Sequence, residues 1–446
     1  MIYNILKLIF GWAIRLYFRQ IYVHFPTNWD PQQPTVFVSN HRNALIDAIL
    51  IGSMIDRPIH FMSRGESFLH PFKRWLYDQF NMHPIYRMAH TPELCNRNLE
   101  QLSLFQQILR KHPLLIFPEG LSHCAPRLRP IQSGAARVIL GAEASADYQL
   151  GIQVVPVGLN YSDAHTFRSE VFINFGAPID LRDHLNLHQT KARVAIRQLS
   201  QAIGRAIDQQ CLTIEDQQVE PLVRQCEALY NKTLIRQYHI CPWESRQVFL
   251  VKKEVIRALH YYQKKYPAQV RKLNQNAQCY LQNLQRHQIS DQLLEQIWQG
   301  QFPQQRHLTR LVHFLGRPLY WFGYWHHFPA IQTARFFAHQ KGLRSDFRGS
   351  VLLSVSVLMI LITYPLLGAL FYYLSHSILA TLFYLRAMML SGYFAIHYAE
   401  SKVVLQQQWT LEKLKQKQSD TIRRLLKQRQ QLLEKLHLAQ RLYLRQ

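Results

Sequence analysis

Apolar positions between residues 30 and 180 alternate between short runs and longer, periodic stretches. Six short runs, rich in Val, Ile, Leu and Phe, predict buried strands at 35–38, 59–62, 84–86, 113–117, 152–158 and 171–175. Between them, helical periodicity predicts helices over 44–54, 67–80, 92–111 and 132–146. This alternation is typical of an α/β domain with layers of helices on a mainly parallel sheet. Active sites of such sheets lie at the carboxyl ends of the strands, so polar residues that follow a strand are the first candidates for chemistry.

The first predicted strand leads into the tripeptide Ser39-Asn40-His41, and a new apolar run begins at Ala44. A neutral imidazole at a strand end can accept a proton, and a carboxylate such as Asp47 can fix its tautomer and stabilise the imidazolium. Residues six apart lie roughly 240° apart around an ideal helix, so His41 reaches Asp47 only from a turn before the helix. Taken alone, the two residues also fit a capping histidine and a surface aspartate.

The segment after Glu119-Gly120 is unusually basic. Arg127, Arg129 and Arg137 supply planar donors that suit a phosphate group. A solvated basic loop is the simpler interpretation of the arginines by themselves. Their position beside Glu119-Gly120 favours a site for the phosphate of an acceptor, to which Arg168 is a weaker candidate contributor.

Four short blocks of the chain resemble, in order, the four blocks of the glycerolipid acyltransferases, the membrane enzymes that acylate glycerol 3-phosphate and lysophosphatidate. The blocks are Asn40-His41…Asp47, Ile85-Tyr86-Arg87, Phe117-Pro118-Glu119-Gly120 and Val155-Pro156-Val157-Gly158. The resemblance covers roughly residues 30 to 180. Five residues separate His41 from Asp47, where the common family pattern has four. The longer spacing is similar to that of a bacterial branch of the family and of the fungal glycerol-3-phosphate acyltransferases.

This resemblance implies an acyltransferase catalytic domain over residues 30–182 with His41 and Asp47 as the catalytic pair. His41 would take the proton of an acceptor hydroxyl as that oxygen attacks an acyl thioester, without an acyl-enzyme. The substrate-binding residues would be Arg87, Glu119, Gly120, Ser122, Arg127 and Arg129. We expect acyl-CoA or the acylated form of acyl carrier protein as co-substrate, with no bound cofactor and no metal. Serine-hydrolase elbows, P-loops, His-Glu-x-x-His zinc motifs and dinucleotide fingerprints do not occur in the sequence.

The net charge narrows the choice of partner. Lys and Arg number 52 against 28 acidic residues, giving +24, so a polyanionic partner is expected. The sequence contains no nucleic-acid-binding motif, and the basic residues alternate with long apolar runs, which favours membrane phospholipids over nucleic acid. The six cysteines show no paired spacing, which indicates reduced thiols of a cytosolic protein face and neither a disulfide framework nor a zinc site.

The segments before and after the α/β domain indicate contact with a membrane. Residues 1–25 predict an amphipathic helix in the membrane interface, with Lys7, Arg15 and Arg19 towards headgroups; packing on the catalytic domain is an alternative that does not exclude it. Residues 183–345 predict a helical region. Its aromatic stretch at 314–329 fits an interfacial or re-entrant segment and a buried aromatic core equally well.

A transmembrane hairpin is predicted over residues 350–398. Val351–Leu374 would be roughly 36 Å long as a helix, enough for a hydrocarbon core of about 30 Å, and Ile378–His397 would return, with Arg386 as a costly interruption. Basic flanks place both ends of the hairpin, and with them the catalytic domain, on the cytoplasmic face of a membrane, which we expect to be a bacterial inner membrane. Residues 400–446 predict a basic amphipathic helix on the membrane surface, with a short coiled coil as the alternative.

Other functions compete with phosphate-acceptor acylation. Within the same chemistry, the chain fits an enzyme that remodels lysophospholipids with larger headgroups. A non-catalytic lipid-binding membrane protein is a further alternative, although His41, Asp47 and Glu119 are all present. The sequence leaves open the acceptor, the carrier of the acyl group and the acyl length.

Overall fold

The structure is a computed structural model that describes residues 2–86, 98–241, 244–300, 307–417 and 419–443. It separates into two compact units. The first comprises Met1–Glu215 and Phe336–Val357, and the second Asp216–Arg335 and Leu358–Gln446. The first unit contains the α/β fold, and the second is helical.

The chain begins with α1 (Ile2–Tyr17), β1 (Gln20–His24), β2 (Thr35–Ser39), α2 (Ala44–Met54), β3 (His60–Arg64), a 3₁₀ turn (Gly65–Phe68), α3 (Pro71–Gln79), β4 (Met82–Ile85), α4 (Asn98–Leu109), β5 (Leu114–Ile116), α5 (Gly134–Ala144), β6 (Gln153–Tyr161), β7 (Glu170–Phe175) and α6 (Arg182–Gln210). It continues with α7 (Glu220–Leu229), α8 (Asn231–Gln237), α9 (Ser245–Lys265), α10 (Pro267–Arg286), α11 (Asp291–Trp298), α12 (His307–Ala338), α13 (Ser345–Ser375), α14 (Ile378–Lys417) and α15 (Ser419–Tyr443).

The seven strands form one sheet in the order β1-β7-β6-β2-β5-β3-β4. Among the strand pairs of the described residues, only β6–β7 is antiparallel, so the predicted α/β fold with a mainly parallel sheet is confirmed. Strand β2 is central and fully buried, and its side chains alternate between two cores. Phe37 packs in the core that contains α1 and α2, whereas Val36 and Val38 pack in the core that contains α4, α5 and α6.

The first helix is shorter than predicted. It ends at Tyr17, and Gln20–His24 pair with β7 in parallel, so residues 1–25 are a helix followed by a strand. The basic stripe is not free either, because Lys7 Nζ binds the carbonyl oxygen of Asp56 at 3.0 Å and Arg19 pairs with Glu170 at 2.5 Å.

Helix α1 has one packed face and one exposed apolar face. Ile14 lies in the core, whereas Ile5, Leu8 and Trp12 are 50%, 63% and 64% exposed. The exposed face therefore keeps the apolar surface that an interfacial helix requires, and its placement in a membrane stays a prediction.

Residues 336–357, here called the return segment, belong to the first unit although they follow it in sequence by more than a hundred residues. Leu353 is buried in the core with α1 and α2. Gly349 lies close to the turn between β2 and α2 (residues 40–43), here called the catalytic turn. A Cβ added to Gly349 would be 3.0 Å from Asn43 Oδ1 and 3.0 Å from the Tyr17 hydroxyl. Sequence-distant residues therefore share a unit with residues 30–182, whose boundaries as a catalytic domain stay a prediction.

Among the described residues, two helices are long and apolar enough to cross a membrane, Ser345–Ser375 and Ile378–Lys415. Only 17% and 11% of their most apolar stretches are buried. The helices are separated at His376, which has a φ of 49°. The predicted pair of apolar helices is therefore present, and it starts five residues earlier than position 350.

Within the second unit, the aromatic stretch forms part of one helix, α12, which contains Pro318 and Pro329. Trp321 and Trp325 are 49% and 60% exposed, so the stretch is not a buried aromatic core. Gly323 faces α14, where an added Cβ would lie 2.2 Å from the Ser391 carbonyl oxygen. Small residues thus allow close helix contact, as at helix interfaces in membranes.

The basic tail packs differently from the prediction. Leu425 and Leu432 of α15 are 3% and 5% exposed and lie in a core with residues of α10 and α11. Arg429 is also buried and pairs with Asp291 at 2.9 Å. The preference for a membrane-surface helix is wrong for this apolar face, because protein covers it.

Candidate active site

The turn after β2 is fixed to the neighbouring strand by one amide side chain. Asn40 Nδ2 donates to the carbonyl oxygen of Leu159 at 3.0 Å, and Asn40 Oδ1 accepts the Leu159 N–H at 2.7 Å. The amide thus continues the ladder between β2 and β6 beyond the last residue of the strand. This pair of hydrogen bonds explains why an asparagine precedes His41.

His41 and Asp47 meet as the chemistry requires. His41 Nδ1 lies 2.8 Å from Asp47 Oδ2, with the histidine in the turn and the aspartate in the first turn of α2. The same carboxylate oxygen accepts the N–H groups of Arg42 and Asn43 at 2.6 and 2.7 Å. Its other oxygen accepts the Tyr161 hydroxyl. Asp47 is fully buried, and these donors offset the cost of burying its charge.

Asp47 influences the protonation of two of its donors, Tyr161 and His41. Burial, and after it the Asp47 carboxylate, hold the pKa of Tyr161 well above its ordinary value, so Tyr161 remains a donor. A carboxylate on Nδ1 favours the tautomer with the proton on that nitrogen, which leaves Nε2 of His41 as the base. Nε2 has no hydrogen-bond partner among the residues that the structure describes.

Glu119 stabilises the backbone of the turn by accepting hydrogen bonds from two N–H groups. Its two oxygens accept the N–H of His41 at 2.8 Å and the N–H of Arg129 at 3.0 Å. Burial raises the pKa of the Glu119 carboxyl, and these two backbone donors oppose the rise. Gly120 follows with a φ of 73°, a conformation that favours glycine, and lets the chain reverse there. Residues 121–133, between Gly120 and α5, are here called the basic loop. Glu119 therefore fixes the position of the catalytic turn relative to the basic loop.

An apolar cavity of about 390 Å³ opens beside His41. The His41 ring stacks on Phe117, with centroids 4.0 Å apart, and both residues line the cavity. Further walls come from α2, from β3 and β4, and from Val351 and Val355 of the return segment. The volume and the apolar lining suit a hydrocarbon chain ending at the imidazole.

A second recess, of about 540 Å³, lies on the polar side of the same loop. Its lining includes Ser122, His123, Arg129, Arg344 and Asp346, and it is here called the basic recess. Burial lowers the pKa of His123, and Arg129, Arg42 and Arg127 lower it further, while Asp346 acts in the opposite direction. The cationic side chains of Arg129 and Arg344 thus border the recess, opposed by the carboxylate of Asp346.

Ser122 is held by the return segment. Its hydroxyl donates to Asp346 Oδ2, and its carbonyl oxygen accepts from Arg344 Nη2 at 3.0 Å. Arg344 also binds Asp346 through Nε at 3.1 Å and Nη2 at 2.8 Å. Ser122 and Asp346 are each 4% exposed, whereas the Arg344 side chain is 49% exposed. The buried pair thus holds a guanidinium at the edge of the recess.

The return segment contacts the catalytic turn as well. Ser350 Oγ donates to the Asn43 carbonyl oxygen at 3.1 Å and accepts the Ile46 N–H at 3.2 Å. These bonds cap the first turn of α2, which carries Asp47. A single segment therefore reaches both the catalytic turn and the basic recess.

Comparisons with known proteins agree with this architecture. The Acyltransferase family profile matches residues 20–160. Glycerol-3-phosphate O-acyltransferase 1 of Saccharomyces cerevisiae is 29% identical over 130 residues, which are 28% of this chain and 17% of that protein. Glycerol-3-phosphate O-acyltransferase 2 of the same yeast is 44% identical over 77 residues, 17% of this chain and 10% of that protein. Residues 20–160 therefore match an acyltransferase domain.

Two further similarities concern the extent of the match. An uncharacterized acyltransferase of Schizosaccharomyces pombe is 28% identical over 184 residues, which are 40% of this chain and 26% of that protein. The chain thus spans only 10% to 26% of the length of these curated relatives. The crystal structure of the 1-acyl-sn-glycerophosphate acyltransferase PlsC from Thermotoga maritima aligns with a TM-score of 0.33 and 17% identity, over 46% of this chain and 79% of that chain.

The acyltransferase domain brings together most of the residues expected from its sequence. His41, Asp47, Glu119, Gly120 and Ser122 surround one turn and one loop, and Arg129 lines the basic recess. Arg127 is connected with the recess by its charge, which lowers the pKa of His123 in the lining. Arg87 lies outside the described residues. Among those residues, no group of three or more His, Cys, Asp or Glu is arranged to hold a metal ion.

Two other arginines of the first unit lie away from the recess. Arg137 is exposed on α5 and lines a separate groove with residues of α6. Arg168 points Nη1 at the carbonyl oxygens of Leu16 and Phe18, both at 3.5 Å, and so secures the end of α1. The sequence-based candidate Arg168 therefore has a structural role, and Arg137 does not belong to the basic recess.

Proposed function

We propose that this chain is a membrane-bound acyltransferase of phospholipid synthesis, which moves a fatty acyl group from a thioester to a hydroxyl of glycerol 3-phosphate or 1-acylglycerol 3-phosphate. The observation that carries the proposal is the His41–Asp47 pair, 2.8 Å apart, between an apolar cavity and a basic recess. The names of the two yeast relatives support the phosphorylated acceptor.

The reaction follows from the tautomer of His41. Nε2 accepts the proton of the acceptor hydroxyl while that oxygen forms a bond to the thioester carbonyl carbon. The tetrahedral intermediate then collapses, the carbon–sulfur bond breaks, and the thiolate takes the proton back from the imidazolium. Asp47 stabilises the imidazolium in between. Positioned general-base help of this kind contributes about 10²- to 10⁴-fold in rate.

The two cavities separate the two ends of the substrates. The apolar cavity receives the acyl chain, since burying hydrocarbon there removes it from water. The basic recess receives the acceptor phosphate through Arg129 and Arg344, with Arg127 nearby. Arg344 commits Nε and Nη2 to Asp346 and Ser122, which leaves Nη1 for an anion. In this proposal Glu119 is a brace of the turn and not itself a substrate ligand.

The site also fits a membrane surface. Helix α13 begins at the basic recess, lines the apolar cavity with Val351 and Val355, and continues as the first candidate span. A lipid acceptor or an acyl chain would then reach His41 from the bilayer. From the charges that flank the two helices, we place the catalytic unit on the cytoplasmic face of a bacterial inner membrane.

The test uses washed membranes that contain the full chain. Labelled acyl-CoA and the labelled acyl form of acyl carrier protein are each offered with a panel of acceptors, from glycerol 3-phosphate to lysophospholipids with larger headgroups. His41→Ala serves as the blank, and His165→Ala, on an exposed loop, is the matched control.

We expect phosphorylated glycerol acceptors to be acylated by the parent and the control, and a loss of at least about 10²-fold in His41→Ala. Preferred acylation of lysophospholipids with larger headgroups would move the function to membrane remodelling. Undiminished activity in His41→Ala would remove the general-base role.

A further inference from the structure

A large groove on the acyltransferase domain has no part in the chemistry described so far. It has a volume of about 810 Å³ and lies between the basic loop, α5 and α6. Of the described residues that line it, four are arginines, Arg129, Arg137, Arg193 and Arg197, and none is acidic. It is here called the arginine groove. Four like charges in one concave surface repel each other, so a bound anion would stabilise them.

The charges of the arginine groove are not balanced inside the protein. Arg193 and Arg197 are one helical turn apart on α6, a spacing at which like charges repel. Arg137 makes one neutral bond, from Nε to Ser133 Oγ at 3.3 Å. Within the described part of the chain, none of the four guanidinium groups has an acidic partner within salt-bridge distance.

The shape of the groove is held by close packing. A Cβ on Gly204 of α6 would lie 3.0 Å from Ile131 Cγ1, so the basic loop rests directly on the helix. Ile131 and Ile196 add apolar surface between the arginines. The groove therefore offers planar donors for phosphates and apolar faces for an aromatic ring.

The arginine groove adjoins the reaction centre through one residue. Arg129 lines both this groove and the basic recess. Its N–H binds Glu119, which also binds the N–H of His41. Two hydrogen bonds, both to Glu119, thus connect a residue of the arginine groove with the catalytic turn.

We propose that the arginine groove binds the phosphorylated nucleotide of a coenzyme A thioester, so that the acyl donor spans from the groove to His41. The inference rests on the proposed function and adds the class of donor. Coenzyme A carries a diphosphate and a 3′-phosphate beside a purine, which matches four guanidinium groups and apolar side chains. The groove is concave and of small-molecule size, whereas an acyl carrier protein would need a broad basic face.

The first arm of the test measures binding without catalysis. Adenosine 3′,5′-bisphosphate is titrated into the purified full chain in detergent and followed by calorimetry. We expect Arg197→Ala to weaken binding about tenfold, and Arg205→Ala, an exposed arginine on the same helix outside the groove, to leave it unchanged. Equal binding by both variants, or none by the parent, would overturn the proposal even if acyl transfer is active.

The second arm measures the KM for two donors. Arg197→Ala should raise the KM for acyl-CoA about tenfold and leave that for an acyl-N-acetylcysteamine, which lacks the nucleotide, within about twofold. Arg197→Ala could instead raise the KM for acylated acyl carrier protein, or weaken binding to anionic vesicles, and leave the KM for acyl-CoA unchanged. That result would overturn the inference in favour of a protein or lipid contact. If no donor supports transfer, the proposed function fails, and the bisphosphate titration still decides the groove.

Discussion

Two buried aspartates hold the two sides of this site, and they are built in opposite ways. Asp47 accepts from His41, Arg42 and Asn43, all within six residues of it, and from Tyr161. Asp346 accepts from Ser122, which is 224 residues away in sequence. Asp47 acts on the proton-accepting imidazole, whereas Asp346 acts on a serine and an arginine that line a recess.

The difference separates chemistry from recognition. A carboxylate and a base within one turn keep their geometry as long as the local backbone folds, because three of the donors to Asp47 belong to that turn. A carboxylate supplied by a distant segment ties the recess to the rest of the unit, so it can change without disturbing the base. We therefore expect substitutions at the two positions to affect different kinetic constants.

The substitution with the largest expected effect is Asp47→Asn, which tests whether Asp47 acts on the chemical step. A neutral amide does not stabilise the imidazolium, and its Nδ2–H group can donate to Nδ1 and select the wrong tautomer, so kcat should fall by about 10²- to 10⁴-fold with little change in the acceptor KM. Steady-state rates with a soluble short-chain acceptor in detergent would measure this. Asp180→Asn is the control, because Asp180 is an exposed aspartate that pairs with Arg182 outside the site.

An increase in KM with unchanged kcat in Asp47→Asn would contradict the assignment, since it would make Asp47 a recognition residue. Circular dichroism and the thermal midpoint of each variant show whether the protein is folded, so that a loss of activity is not mistaken for unfolding.

Asp346→Asn tests the other side. Without the carboxylate, Arg344 loses its ion pair with Asp346 and keeps the bond from Nη2 to the Ser122 carbonyl oxygen, and we expect the KM of the phosphorylated acceptor to rise about tenfold. The donor KM and kcat should change by less than about threefold. A fall in kcat at constant acceptor KM would show that the return segment positions the catalytic turn instead.

A second comparison sets His41, whose partner is a carboxylate, against a histidine whose neighbours are other histidines. His60 Nδ1 lies 2.8 Å from His83 Nε2, and the His112 ring stands 5.1 Å from the His60 ring. Burial lowers the pKa of His60 to about 4, and His83 and His112 contribute to the same direction. The unfolded chain has a histidine pKa near 6.5.

Because the folded pKa is the lower one, the unfolded chain binds more protons between pH 6.5 and pH 4, and stability falls as the pH falls through that window. His60→Gln should therefore lose less of its Tm than the parent over this range, by about 2–4 °C. Thermal melting at several pH values would measure it, with His165→Gln as control. Parallel pH profiles of the parent and His60→Gln would refute the prediction.

Local patterns allowed the sequence to predict the catalytic turn. The run from Thr35 to Ser39, the polar tripeptide and the apolar helix from Ala44 are each encoded by adjacent residues, so the position of His41 relative to Asp47 follows from short-range rules. Strand β1 was missed because five residues directly after an apolar helix continue its hydrophobicity. Only pairing with β7 defines it as a strand.

Some residues have contacts that local sequence patterns do not reveal. Arg344 reads in the sequence as a positive flank of a transmembrane helix, and its partner Asp346 as a first-turn acid of that helix. Their contact with Ser122 depends on tertiary structure and leaves no periodic signal. The tail α15 was similarly ambiguous, since an amphipathic face does not say whether lipid or protein covers it.

The return segment has a consequence for the order in which the protein is made. Synthesis proceeds at about 5–20 residues per second, so the 224 residues between Ser122 and Asp346 leave the ribosome over roughly 11–45 s. During that interval the nascent α/β domain has its catalytic turn but lacks a wall of its apolar cavity and a side of its basic recess. A ribosome-bound chain that ends before Arg344 is thus expected to carry the base without the means to hold both substrates, and would not consume thioester while it waits for its membrane helices.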